Sequence, residues 1–173
     1  MQTTRAPRAT THGPALLLGV GALVVVLDQL TKVWAVAALE GGPGVDVVGD
    51  TVRLVLLRNS GAAFSLGEDA TPVFTVLSTV VVLGLLWFAR TVHSRWWAWG
   101  LGLVLGGAAG NLVDRMVRSP GPLHGHVVDF VSVGWWPVFN VADSCLVAGV
   151  VVLMVTVMLG ENRDGTRGEP VDA

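Results

Sequence analysis

Four long apolar runs constrain this chain more than any other feature: 14–39, 72–89, 96–118 and 138–160. A helix needs about 20 residues to cross the hydrocarbon core of a bilayer. In lipid, only helices and closed barrels satisfy every backbone polar group. The runs therefore predict four transmembrane helices. Composition agrees: 52% of residues are hydrophobic and 14% are charged, where a soluble domain carries about a quarter. A net charge of −2 without a basic block sets nucleic acid aside as a partner. The single cysteine, Cys145, excludes an internal disulfide and a cysteine-rich metal site. Inside an apolar run it reads as a small packing residue.

The segments between the runs complete the outline. Residues 1–13 are polar and read as a disordered cytoplasmic tail. A cleavable leader is set aside, because the first run continues into Asp28 and Lys32 with no small-residue cleavage pattern. Residues 40–69 combine Gly41-Gly42-Pro43-Gly44 with a valine- and leucine-rich stretch from Asp46 to Arg58, which predicts short strands between turns. Asn59 to Ser65 is small and polar, as a loop is. Residues 119–137 form a second link outside the membrane, with Trp135 and Trp136 suited to the membrane–water boundary. Residues 161–173 read as a second disordered cytoplasmic tail. Gly102, Gly106 and Gly110 lie four apart and read as a packing stripe. Arg5, Arg8, Arg90, Arg95, Arg163 and Arg167 fall on the side of the termini, and Arg53, Arg58 and Arg118 on the other. That excess puts both termini in the cytoplasm. The expected fold is an all-α integral membrane protein of four transmembrane helices, with a small extramembrane β-sheet after the first.

Carboxylates are where this outline acquires chemistry. Two near-copies of one phrase, Asn111-Leu112-Val113-Asp114 and Asn140-Val141-Ala142-Asp143, each place an amide three positions before an aspartate. On a helix such positions share a face. Val127-Val128-Asp129-Phe130 sets another carboxylate among apolar residues. At about 1.5 Å per residue, Asp28 lies about 21 Å along the first span, Asp114 about 27 Å along the third, and Asp143 about 8 Å below the outer end of the fourth. Asp129 precedes that end. Four carboxylates from four segments thus converge near the outer leaflet, where charge is costly and marks function. Asp28 has a structural alternative, pairing with Lys32 at i+4, and Asp114 has a supporting one. Asp129 and Asp143 are harder to explain structurally. Two close carboxylates in a low-dielectric site share a proton. The ionised one can take a proton from water, while the protonated one polarises a carbonyl and protonates a leaving amine. That chemistry hydrolyses peptides without metal or cofactor. Asn59, Asn111 and Asn140 can bond a substrate backbone, and Arg115 can hold its carbonyls.

Rival sites are thinner. Ser60, Ser65 and Ser144 have no evident histidine–acid partner. His124-Gly125-His126 with Asp129 is a possible metal set, but a lone His-x-His in a loop is more often a solvated pair.

Five phrases, in order, resemble the lipoprotein signal peptidase family, also called signal peptidase II. They are Asp28-Gln29-Leu30-Thr31-Lys32, Asn59 to Ser65, Gly106 to Arg115, Val127 to Phe130, and Phe139 to Ser144. The resemblance implies a bacterial inner-membrane aspartic endopeptidase with both ends inside and its active site near the outer leaflet. Its substrates would be diacylglyceryl-modified prolipoproteins, cut just before the lipid-bearing cysteine. It implies Asp129 and Asp143 as the catalytic pair, with Asn59, Asn111, Arg115 and Asn140 around the substrate or supporting the pair. Asp28 and Lys32 match a structural or lipid-facing position, and Asp114 a supporting one. It also implies a cradle over 40–69 and a mobile flap within 119–137. Membrane lipids are expected partners, and the protein is expected to be a monomer. Asp143 is assigned as base and Asp129 as acid, the reverse remaining open. This chain departs in spacing: Asp129 follows Asp114 by 15 positions and Asp143 follows Asp129 by 14. Ser119-Pro120-Gly121-Pro122 looks like an insertion, and the flap looks trimmed.

Two other classes compete. A small proton-coupled transporter accommodates intramembrane carboxylates, but such sites usually lie near the midplane. A membrane scaffold explains the glycine stripe and leaves the carboxylates unexplained.

Overall fold

The structure is a computed structural model that describes residues 13–61 and 71–167. Expectations for residues 1–12, for Ala62 to Ser65 and for 168–173 lie outside the described residues. Four helices carry the fold: α1 (Gly13–Leu39), α2 (Thr71–Ala89), α3 (Arg95–Val117) and α4 (Val141–Met158). By length and composition α1, α2 and α4 can each cross a membrane. With 23 residues, α3 is about 34 Å long but less apolar than the other three. Its position accounts for that composition. It packs against all three other helices, and eleven of its residues are buried, so much of its surface meets protein.

Glycines allow this central placement. A Cβ at Gly102 would lie 2.8 Å from the Leu17 carbonyl oxygen, and one at Gly106 would lie 2.7 Å from that of Gly21. At Gly110 it would meet the Asp28 carboxylate at 2.6 Å. The stripe therefore faces α1. Gly107 faces the other way, where a Cβ would stand 2.4 Å from the Ala142 oxygen of α4. Backbones approach this closely only where side chains are absent. Leu17, Ala98, Leu101 and Leu105 pack beside the stripe with Ala89 and Val92.

Outside the helices lies one antiparallel sheet of four strands, in the order β1 (Val45–Val48), β2 (Val52–Asn59), β3 (Val127–Val133) and β4 (Trp136–Phe139). Half of it comes from the link before α4, which the sequence reading assigned to a flap rather than to the sheet. The cause is register: Asn59 pairs with Val127 and Leu57 with Asp129, so β3 completes the ladder that β2 offers. A strand's side chains alternate between its two faces. Val128 and Phe130 pack with Ala35 and Leu39 at the end of α1, leaving Asp129 on the opposite face. Before β3, the loop from Ser119 folds back on α3: Gly125 donates to the Arg115 carbonyl at 3.1 Å and His126 to that of Ser119 at 3.1 Å.

Two boundaries differ from expectation. The fourth helix starts at Val141, because Val138 and Phe139 belong to β4 and Asn140 is the cap. Residues 161–167, expected as a free tail, form a turn that closes on α3. The Arg163 carbonyl accepts from the backbone of His93 and Ser94, and Trp97 Nε1 donates to the Glu161 carbonyl at 2.8 Å. The Ser94 hydroxyl also bonds the Glu161 carboxylate.

Candidate active site

Asn140 is the hinge of the site. As N-cap of α4 its side-chain oxygen accepts from the Asp143 backbone N–H at 3.0 Å, while its own backbone N–H donates to Asp143 Oδ2 at 3.2 Å. This is a capping box, so the second Asn-x-x-Asp phrase is a helix start and not two positions on one helical face. Asp143 lies in the first turn of α4, two residues after its start at Val141. With its oxygen committed to the cap, the Asn140 side chain turns its Nδ2 outward. That nitrogen donates to Asp129 Oδ1 at 2.6 Å and to Asn111 Oδ1 at 3.2 Å. One amide thus ties the aspartate of β3 to the aspartate of α4.

Each carboxylate has a second amide partner. Asn59 Nδ2 donates to Asp129 Oδ2 at 2.8 Å, its own oxygen being occupied by the Gly61 N–H at 2.8 Å. Asn111 Nδ2 donates to Asp143 Oδ1 at 2.8 Å. Asp129 is 1% exposed. Burial pushes its carboxyl up to about 6, against the downward pull of the Asn59 hydrogen bond, while the nearby charge of Asp143 adds to the rise. An acid of that strength holds a proton far longer than an ordinary aspartate does.

Behind the pair lies a buried ionic cluster. Lys32 is 0% exposed, and its ammonium meets Asp28 Oδ2, Asp114 Oδ2 and Asn111 Oδ1, each at 2.8 Å. Three donors meet three acceptors, which satisfies the ammonium in full. The lysine also decides which way the Asn111 amide faces: its oxygen takes the ammonium, so its nitrogen must take Asp143. Asp28 accepts further from the Ala142 N–H at 3.0 Å, which joins the cluster to the first turn of α4. Asp114 accepts from the Val128 N–H at 3.1 Å, which joins it to β3, and from Arg118 Nε at 2.6 Å.

The structure therefore joins Asp28, Lys32, Asn59, Asn111, Asp114, Asp129, Asn140 and Asp143 in one hydrogen-bonded network. Arg115 bonds the Asn111 carbonyl at 3.3 Å and stands within electrostatic reach of Asp143, Asp114 and Asp129. Sequence reasoning overlooked two members. Gln29 Nε2 bonds Asp28 Oδ2, Asp114 Oδ1 and the Gly110 carbonyl at 3.1–3.2 Å. Arg118 was placed in the outer link, although its i+4 spacing from Asp114 carried the signal. Of the rival groups, the Ser144 hydroxyl donates to the Asn140 carbonyl at 3.0 Å, and the His124 ring meets the Pro122 carbonyl at 3.3 Å. Among the described residues no three His, Cys, Asp or Glu side chains are grouped to hold a metal ion.

Comparison with known proteins gives concordant matches. A family model described as "Signal peptidase (SPase) II" matches residues 20–159. A lipoprotein signal peptidase of Mycolicibacterium smegmatis is 54% identical over 162 residues, covering 90% of this chain and 69% of that protein. One from Mycobacterium avium is 56% identical over 149 residues, covering 86% and 82%. One from Rhodococcus jostii is 55% identical over 162 residues, covering 93% and 82%. Among solved structures, a bacterial membrane enzyme determined by the in meso method at 1.9 Å resolution superposes with a TM-score of 0.71 at 26% identity, covering 82% of this chain and 92% of that one.

Proposed function

The chain belongs to the signal peptidase II family, a membrane-embedded bacterial peptidase family, and we propose that Asp129 and Asp143 are its catalytic pair. In this reading it is an aspartic endopeptidase that removes the signal peptide from diacylglyceryl-modified prolipoproteins, cutting just before the lipid-bearing cysteine. The observation that carries the assignment is Asn140, which bonds Asp129 through its side chain and Asp143 through its backbone.

Asp129 is the acid, since burial lets it keep its proton up to about 6. Asp143 is the base. Its carboxylate takes a proton from water as the water oxygen bonds the scissile carbonyl carbon. Asp129 gives its proton to the carbonyl oxygen, which leaves a tetrahedral diol. The diol then returns a proton to Asp129 as the carbonyl re-forms. Asp143 passes its proton to the amine nitrogen as the C–N bond breaks, and both groups regain their starting states. Asn59 and Asn140 fix the Asp129 carboxyl, Asn111 fixes that of Asp143, and Arg115 stands close enough to hold a substrate carbonyl. Asp28, Lys32 and Asp114 set the frame. In this reading the protein acts as a monomer.

The less apolar α3 is the fourth span, carried across the bilayer packed against α1, α2 and α4. Both termini then lie in the cytoplasm, and the sheet and the aspartates lie at the outer leaflet. The family match favours peptide hydrolysis over transport. The direct test offers the purified protein one lipobox precursor with and without its diacylglyceryl group. Cleavage of the lipidated form alone, with the new N-terminus at the modified cysteine, is expected. Equal cleavage of both forms, or cleavage elsewhere, contradicts the substrate assignment.

A further inference from the structure

A groove of about 420 Å³ opens beside Asp143, which lines it with Trp136 and Phe139 of β4 and with Ser144, Val147 and Ala148 of α4. Asp143 forms its polar end. Below it Val147 stands one turn on from Asp143, and Ala148 one turn on from Ser144, so the two rows form adjacent walls. The groove runs about 7.5 Å down the helix from Asp143 to Ala148, in the direction that α4 takes into the bilayer. Ser144 adds little polarity, because its hydroxyl is bonded to the Asn140 carbonyl. Val147 is 65% exposed and Trp136 57%, so the groove is open to lipid along its side.

We propose that this groove seats one acyl chain of the substrate's diacylglyceryl group. The proposal rests on the substrate reading above and deepens it. Connectivity is the argument. In that reading the lipid hangs from the side chain of the residue whose amine leaves, so its first atoms lie a few bonds from the carbonyl carbon that water attacks between Asp143 and Asp129. An acyl chain starting there needs an apolar path that begins at an aspartate and leads into the membrane, and this groove has both properties. Binding energy is not its main product. Moving a chain from lipid into an apolar groove changes its surroundings little, just as helices in lipid have no hydrophobic drive to associate. The gain is orientation: a seated chain fixes the thioether, and with it the scissile carbonyl, against the pair. The lipid then acts as a positioning group, and Ala148 sets how deep it reaches.

The test uses the full-length protein in lipid nanodiscs and a lipobox peptide carrying either two palmitoyl or two butyryl chains. Ala148→Trp and Val147→Trp fill the groove, and Val150→Trp adds the same bulk to α4 outside it. The groove-filling variants should lose about tenfold or more in kcat/KM on the long-chain peptide. They should lose much less on the short-chain one, and Val150→Trp should lose little on either. Equal loss on both peptides would mean that the groove holds the signal peptide's own side chains. No loss would mean that it holds nothing the reaction needs. A second readout does not depend on turnover. A palmitoyl-length peptide with a diazirine in one chain, photolysed on the Asp129→Asn protein, should label the segment from Ser144 to Ala148. Labelling confined to other helices overturns the proposal, whether or not the wild type cleaves. Failure of the wild type to cleave any lipidated peptide overturns the substrate reading instead.

Discussion

Lys32 shows how much one residue decides here. It is fully buried between two aspartates and one asparagine, so removing its charge leaves Asp28 and Asp114 facing each other in a dry site. Breaking a buried pair from one side costs about 3–5 kcal/mol. Lys32→Met should therefore lower unfolding stability in micelles by about that much, and release the Asn111 amide from Asp143. A melting temperature within a degree of wild type would contradict the role given to the cluster. Asp129 makes a second claim at this scale. As the acid it must be protonated, so kcat/KM should fall as pH rises through about 6. The sign for stability is the same. A carboxyl raised in the folded state contributes most below its unfolded value of about 3.9, and that contribution is lost as pH rises to about 6. The Asn59 hydrogen bond pulls Asp129 down, so Asn59→Ala should move the alkaline limb to higher pH. A limb that stays put or moves down would remove Asn59 from this role.

Between elements, glycine sets the distances. Gly107 lets α3 approach the first turn of α4, where Asp143 sits, and a Cβ there would stand 2.4 Å from a backbone oxygen. Gly107→Val should separate the two helices and abolish cleavage together with a drop in melting temperature. Gly84→Ala in α2, where a Cβ meets nothing within 4 Å, should change neither. Loss of activity in both variants would point to a cause other than helix spacing. At this scale the sequence was most legible in its helices: run length placed α1, α2 and α3 within a residue or two of their ends. The sheet was only half legible. Val127 to Val133 alternates poorly, and its strand character comes from pairing with β2 some 70 positions away, which no local pattern encodes. The carboxylate cluster was legible because buried carboxylates are rare in apolar sequence. What could not be read was their division into a pair linked by Asn140 and a pair clamped by Lys32. That division depends on the helix start at Asn140 and on the direction in which the Asn111 amide faces.

Taken as a whole, the molecule gathers its polarity at one end. The buried ionic groups, the sheet and the aspartates lie together where α1 and α3 finish and α4 begins, and the link between α2 and α3 lies at the opposite end. The proposed topology puts the first end outside. In a Cys145→Ser background, Thr51→Cys in the turn between β1 and β2 should react with an impermeant thiol reagent added to intact cells, and Thr91→Cys should react only after lysis. The reverse pattern would invert the topology and place the aspartates in the cytoplasm. The central claim is that one metal-free pair of aspartates does the chemistry. It is tested most directly by cleavage of a diacylglyceryl-modified precursor, with chelator present, by wild type and by Asp129→Asn and Asp143→Asn proteins shown to be folded by their melting curves. The account predicts that wild type cleaves undiminished in chelator and that each variant loses activity by at least about a thousandfold. Near-normal cleavage by either folded variant, or loss of wild-type cleavage in chelator, would contradict it.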